Sequence, residues 1–215
     1  MPGQIRQLAA IMFTDIVGYT TLMGDNENRA MEMVRKNKEI QKPLVEKYRG
    51  SWLKEMGDGT MASFPTASDA IYCALEIQSQ LNQESDISIR IGIHLGEILR
   101  EGGDIYGDGV NIASRLQAIA DPGGVYISDP VQKSVKSQSD IHTAYLGEMH
   151  LKNVDYPVKT YALRGEGLPR PRRTWDKKLT GRLWAEIRER KVHRVAFAYL
   201  AISWTSACPA WLWCS

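Results

Sequence analysis

Residues 8–20 read LAAIMFTDIVGYT, and the fold is decided there. The run from Leu8 to Phe13 is apolar without alternation, which predicts a strand buried on both faces rather than one with a wet side. Asp15 stands where that strand ends and a turn containing Gly18 begins. Open α/β sheets keep their chemistry at such strand ends. A carboxylate there, followed by the backbone N–H groups of Val17, Gly18 and Tyr19 opening a helix, is suited to hold a cation and the phosphates of a nucleotide together. Taken alone, Asp15 reads first as a cap on a βα turn.

The chain has 215 residues, 43% apolar and 24% charged, enough for one globular domain of ordinary size and an added segment. Its net charge of +2 conceals an asymmetry: residues 170–194 hold ten Lys/Arg against three Asp/Glu, while residues 1–169 hold 17 against 22. The mildly acidic body implies no nucleic-acid-binding face. Cys73, Cys208 and Cys214 show no metal-ligand spacing, and the four histidines, at 94, 142, 150 and 193, are scattered. Neither a zinc centre nor a disulfide framework is expected. The N-terminal MPGQIRQ lacks the apolar core of a secretory signal, so a reducing, cytoplasmic setting is the default.

Downstream of the first strand, residues 26–48 carry Met31, Val34, Ile40, Leu44 and Val45 among many charges, the pattern of a long surface helix interrupted at Pro43. Ser51 to Phe64 reads as a hairpin with Gly57-Asp58-Gly59 at its tip, which places Asp58 there and puts Lys54 on the same strand face. Thr66 to Asp69 is a capping box, followed by Ala70, Ala74, Ile77 and Leu81 at helical spacing, with Cys73 a small buried residue of that helix. In Ile87 to His94 the isoleucines 87, 89, 91 and 93 face one way, so Arg90 leaves the core face, as a solvated strand arginine would. A turn-rich loop with Asp104 then enters a helix on which Asn111 and Arg115, four residues apart, share a face. Asp121-Pro122-Gly123-Gly124 ends that helix. A strand at Val125–Ser128, a short helix from Asp129 and a hairpin over 142–163 close the domain. The order predicts an α+β fold, a ferredoxin-like βαββαβ core with an added αββ, its antiparallel-rich sheet carrying helices on one face.

Asp15, Lys54, Asp58, Arg90, Asp104, Asn111 and Arg115 thus fall at strand ends, a hairpin tip and one helix face. With FTDIVGYT, LKEMGDG, IRIGIHLG and DIYGDGVNIASR in that order, the chain resembles the class III nucleotidyl cyclases, the adenylyl and guanylyl cyclases, over residues 5–165. The resemblance implies that Asp15 and Asp58, with Ile16, hold two Mg²⁺ or Mn²⁺ ions. It implies that Arg115 stabilises charge on the α-phosphate, that Asn111 holds the ribose, and that Arg90 and Lys152 contact the triphosphate. The pair Lys54 and Asp104 matches the family's adenine-selecting pair, which implies ATP as substrate and cyclic AMP and pyrophosphate as products. A guanylyl cyclase and a catalytically silent nucleotide-binding or dimerisation module are the alternatives; the latter would have lost one of these residues. Gly102-Gly103-Asp104 is similar to a run in diguanylate cyclases, but the Glu-Phe that follows there is missing. Because the family builds each site from two subunits, the resemblance also implies a homodimer.

From Gly165 the character changes. GEGLPRPRR reads as a linker, residues 166–194 as a basic segment ending in an amphipathic helix, and residues 195–215 as an uncharged stretch long enough to span a bilayer, with Tyr199, Trp204, Trp211 and Trp213 as interfacial anchors. The flanking Lys/Arg cluster would keep residues 1–165 on the cytoplasmic side, anchored to the inner face of the membrane.

Overall fold

The structure, a computed structural model, describes residues 5–84, 86–101 and 104–171. They form β1 (Ile5–Ile16), α1 (Tyr19–Asp25), α2 (Glu27–Lys47), β2 (Ser51–Met56), β3 (Gly59–Phe64), α3 (Ala67–Glu84), β4 (Ile89–Glu101), β5 (Asp104–Tyr106), α4 (Asp108–Ile119), β6 (Val125–Ser128), α5 (Asp129–Val135), β7 (His142–Met149) and β8 (Val158–Arg164). The strands make one eight-stranded sheet in the order β2-β3-β1-β4-β6-β8-β7, with β5 paired to the end of β4. Among the described strands, only β4 and β6 run parallel. This is the expected α+β architecture, with β6 between β4 and the closing hairpin.

The double burial of β1 follows from its place between β3 and β4. Ala10 and Met12 point into a core with Ile40, Leu44 and Val45 of α2, Ile71 and Ile77 of α3 and Val131 of α5. Ala9, Ile11 and Phe13 point the other way, into a second core that includes Ala113 of α4. Helices therefore cover both faces, which corrects the expectation of helices on one face. The cause is visible at Gly92: a Cβ built there would lie 2.1 Å from the backbone nitrogen of Gln117 and 2.4 Å from the carbonyl of Ala113. With no side chain at 92, α4 settles directly on β4. The alternation over 87–94 puts Gly92 and His94 on the same face as Arg90, away from the isoleucines. In the structure Gly92 and His94 are buried and Arg90 is half-buried.

Two further points differ from the sequence pattern. Pro43 sits inside α2 without ending it. It has no N–H for the carbonyl of Glu39, but both residues are exposed, which leaves that carbonyl open to solvent, while Ile40, Leu44 and Val45 hold the helix to the core. The start of the linker is docked rather than free: Leu168 packs against the main core, and Asn82 Nδ2 donates to the Gly167 carbonyl at 2.8 Å. The capping box is formed, with Asp69 N–H donating to Thr66 Oγ1 at 3.1 Å and Thr66 Oγ1 donating to Asp69 Oδ2 at 2.6 Å. Cys73 is fully buried and its thiol is pushed up to about 12, chiefly by that burial, so it is a packing residue.

Residues 1–173 form one compact unit. The amphipathic helix and the apolar stretch expected over 174–194 and 195–215 lie outside the described residues. Among the described residues no helix is long and apolar enough to cross a membrane.

Candidate active site

The site begins with the way β3 returns against β1. Thr60 stands opposite Thr14, and the two-residue turn Gly57-Asp58 brings Asp58 beside the end of β1. Gly57 takes φ 65°, a conformation natural to a residue without Cβ. Gly59 is needed for another reason: a Cβ there would lie 2.8 Å from the Thr14 carbonyl oxygen. The tip therefore closes on β1, and the Ile16 N–H donates to Asp58 Oδ2 at 3.2 Å.

Asp15 and Asp58 now lie together, close enough for each carboxyl group to feel the other. Burial, and then the neighbouring Asp58 carboxylate, push Asp15 up to about 6, against the pull of the Arg90 guanidinium and a hydrogen bond from the Gln117 amide. Arg90 is directly opposite Asp15 in the β1–β4 register. Its Nε is buried and has no hydrogen-bond partner. Two carboxylates this close suit a divalent ion, and a buried Nε–H without an acceptor suits an anionic oxygen.

Behind the carboxylates, on the other face of the sheet, a buried polar cluster ties the two strands to α2. Thr14 Oγ1 and Thr60 Oγ1 are 2.7 Å apart, and each is 3.1 Å from Gln41 Oε1. Gln41 Nε2 in turn donates to Asn37 Oδ1 at 2.6 Å. Two hydroxyl protons serve three oxygen contacts, so the cluster is closely matched but not redundant. Neither Asn37 nor Gln41 stood out in the sequence, where they read as two more polar residues of a charged helix. Their four-residue spacing, in phase with Ile40 and Leu44, was the signal.

The other named residues belong to α4 and its surroundings. Gln117 faces Asp15, and at 100° per residue Arg115 and Asn111 are turned roughly 160° and 120° away from it, across a helix about 10 Å thick. Arg115 Nε donates to the backbone carbonyl of Lys152, in the β7–β8 connection, at 3.3 Å. Arg115 and Lys152 are therefore neighbours, with Asn111 exposed on the same helix. Asp104 opens β5, opposite Glu101 in register. Lys54 stands opposite Met61, whose side chain belongs to the core on the α4 side, so Lys54 projects on that side. Of the three amides expected to face phosphate, that of Val17 is already committed, donating to the Ser88 carbonyl at 2.8 Å. Those of Gly18, at φ 78°, and Tyr19 open α1. In one copy of the chain, then, Asp15, Asp58, Ile16 and Arg90 come together on the inner side of α4, while Asn111, Arg115 and Lys152 lie on its outer side.

Residues 2–165 match the family model described as adenylate and guanylate cyclase catalytic domain. A Rhizobium meliloti (strain 1021) protein named as an adenylate cyclase is 38% identical over 161 residues, 71% of this chain and 27% of its own length. The adenylate cyclase of Podospora anserina is 30% identical over 151 residues, 56% of this chain and 7% of the relative. The chain thus spans a minor part of these curated relatives. Among solved structures, an adenylate/guanylate cyclase/hydrolase from Silicibacter pomeroyi superposes with a TM-score of 0.72 at 35% identity, covering 76% of this chain and 100% of that one. The adenylyl cyclase CyaB from P. aeruginosa shares the fold, with a TM-score of 0.69 at 22% identity over 79% of this chain and 98% of that one.

Proposed function

Since the chain belongs to the adenylate and guanylate cyclase catalytic domain family, we propose that it converts ATP to 3′,5′-cyclic AMP and pyrophosphate at a site shared between two copies of itself. The observation that supports this most is the division of α4: the face that touches Asp15 is the one that does not carry Asn111 and Arg115. One copy contributes Asp15, Asp58 and Ile16, and a second contributes Lys54, Asp104, Asn111, Arg115 and Lys152.

The adjacent carboxylates, one of them holding its proton up to about pH 6, fit a pair of divalent cations. Among the described residues no group of three or more His, Cys, Asp or Glu surrounds such a site, so the Ile16 carbonyl and substrate oxygens would complete the ligand set. Mg²⁺ or Mn²⁺ bound there would lower the pKa of the ribose 3′-hydroxyl and neutralise the leaving pyrophosphate. The remaining work falls to the chain itself. Arg115 meets negative charge as it builds on the α-phosphate, and Asn111 fixes the ribose so that its 3′-oxygen faces phosphorus. The unpartnered Arg90 Nε, with Lys152 and the amides of Gly18 and Tyr19, takes phosphate oxygens. Lys54 donates to N1 of adenine and Asp104 accepts from its amino group; guanine presents an N–H to Lys54 and leaves a buried mismatch.

The test is cyclic nucleotide formation from ATP and from GTP, with Mg²⁺ or Mn²⁺, for the wild-type chain and Asp58→Ala. Cyclic AMP is expected from the wild type and none from the variant. Preference for GTP would overturn the base assignment, and retained activity in Asp58→Ala would remove the carboxylates from the chemistry. Mixing Asp15→Ala with Asn111→Ala chains should recover activity; no recovery would sink the shared site.

A further inference from the structure

We propose that Asn153 is a positioning residue for Arg115, acting through the turn that aims the Lys152 carbonyl; the inference rests on the phosphate-facing role given to Arg115 above. Residues 151–154 form a turn closed by a hydrogen bond from the Val154 N–H to the Leu151 carbonyl at 3.2 Å. Leu151 is buried and pins one end of the turn to the body. Asn153 has φ 61°, and among the described residues only Arg49 is another non-glycine residue at positive φ. Lys152 is not at positive φ, so the turn carries its left-handed residue at the third position alone, the type II pattern.

That pattern has a directional effect. In a type II turn ψ of the second residue is about +120° instead of about −30° in type I, so the central peptide is rotated by about 150° and its carbonyl points to the opposite side. Here the central carbonyl is that of Lys152, and it receives the Arg115 Nε–H at 3.3 Å. With Nε held, the two terminal nitrogens of the guanidinium, carrying four of its five N–H groups, form the end left to meet a phosphate. The planar group is fixed in azimuth by a backbone atom, which has no rotamers to lose. A turn in the type I form would swing this acceptor away and free Arg115 to point elsewhere.

Asparagine suits the position because its short polar side chain tolerates the left-handed region, where a β-branched residue is a true outlier. Its side chain is exposed, so a change there alters the turn before it alters packing.

The experiment compares wild type, Asn153→Gly and Asn153→Val, each also in an Arg115→Ala background, by steady-state cyclic nucleotide formation and by thermal unfolding of the full chain. Asn153→Gly keeps the left-handed turn and should retain kcat to within about twofold. Asn153→Val should lower kcat on the order of tenfold with KM changed less than about twofold, the signature of an interaction made in the transition state. In the Arg115→Ala background the valine should have no further effect. Equal kcat for the glycine and valine variants would overturn the inference, as would a valine effect that persists in full without Arg115 or that appears only as a lowered Tm. A wild-type chain that forms no cyclic nucleotide from ATP or GTP would overturn the functional reading and this inference with it. An active wild type with an indifferent Asn153→Val would overturn this inference alone.

Discussion

Acidification should destabilise this fold through one histidine. His94 is buried, its Nδ1 is 2.8 Å from Ser128 Oγ, and its ring lies where α4 approaches β4, against Gly96 and Gly109. Burial pushes its pKa down to about 4 from the ordinary 6.5. The unfolded chain therefore takes up a proton between pH 6.5 and 4 that the folded chain refuses. The contribution to stability is complete above pH 6.5 and is lost as pH falls through that window. A shift of about 2.5 units corresponds to roughly 3 kcal/mol in all, of which about 2 kcal/mol is gone by pH 5. The charged groups that share the adjoining cleft of about 530 Å³ are Arg6, Glu97 and Asp108. Urea unfolding at pH 7 and pH 5, followed by far-UV circular dichroism, measures the loss. His94→Asn keeps a hydrogen-bonding group near Ser128 and has nothing to protonate. Its stability should fall by about 2 kcal/mol less than that of the wild type between the two pH values. The carboxylates titrate in both proteins, so the difference isolates His94; an equal loss in both would refute the reasoning.

Gly92→Ala should destabilise by about 3 kcal/mol or more, because its methyl carbon would meet backbone atoms of α4 at 2.1 and 2.4 Å and neither can rotate aside. A Tm within a degree or two of wild type would show that α4 does not rest on β4 as described. Thr60→Val, nearly isosteric, leaves Thr14 and Gln41 short of a partner in a buried cluster and should cost about 1–3 kcal/mol in urea unfolding. No loss would mean that the cluster does not tie β1 and β3 to α2.

What could be read from the sequence was whatever local chemistry forces. The apolar run 9–13 had to be a central strand, since no strand with a wet side tolerates it, whereas Leu8 at its start is 62% exposed and falls outside that reading. Gly57-Asp58-Gly59 between two strand-like runs had to be a turn, which put Asp58 at a tip. The roles of Lys54, Asp104, Asn111 and Arg115 came from the resemblance and from nothing in their spacing. What could not be read depends on contacts between distant segments. Gly92 is an ordinary strand glycine until α4 is laid on it, and Arg90 looks solvated until the same helix covers its face. Gln117 reads as a polar residue at a helix end, and only the packing shows its amide at Asp15. Pro43 misled in the opposite sense: a local rule predicted a break, and the core contacts of Ile40, Leu44 and Val45 carried the helix through.

The seating of α4 on Gly92 has a consequence for how such a chain can change. Contact between the helix and the sheet there is backbone to backbone, so the seat has no side chains to trade, and drift at these positions is closed to selection. The outward face, with Asn111 exposed and Arg115 held through Nε to a backbone carbonyl, has no such duty to the fold. A library randomised at 111, 115 and 118 should yield mostly folded proteins with altered or absent chemistry, whereas one randomised at 92, 113 and 117 should yield mostly unfolded ones. Changes in the chemistry can therefore be sampled on one side of a single helix without first acquiring a reserve of stability.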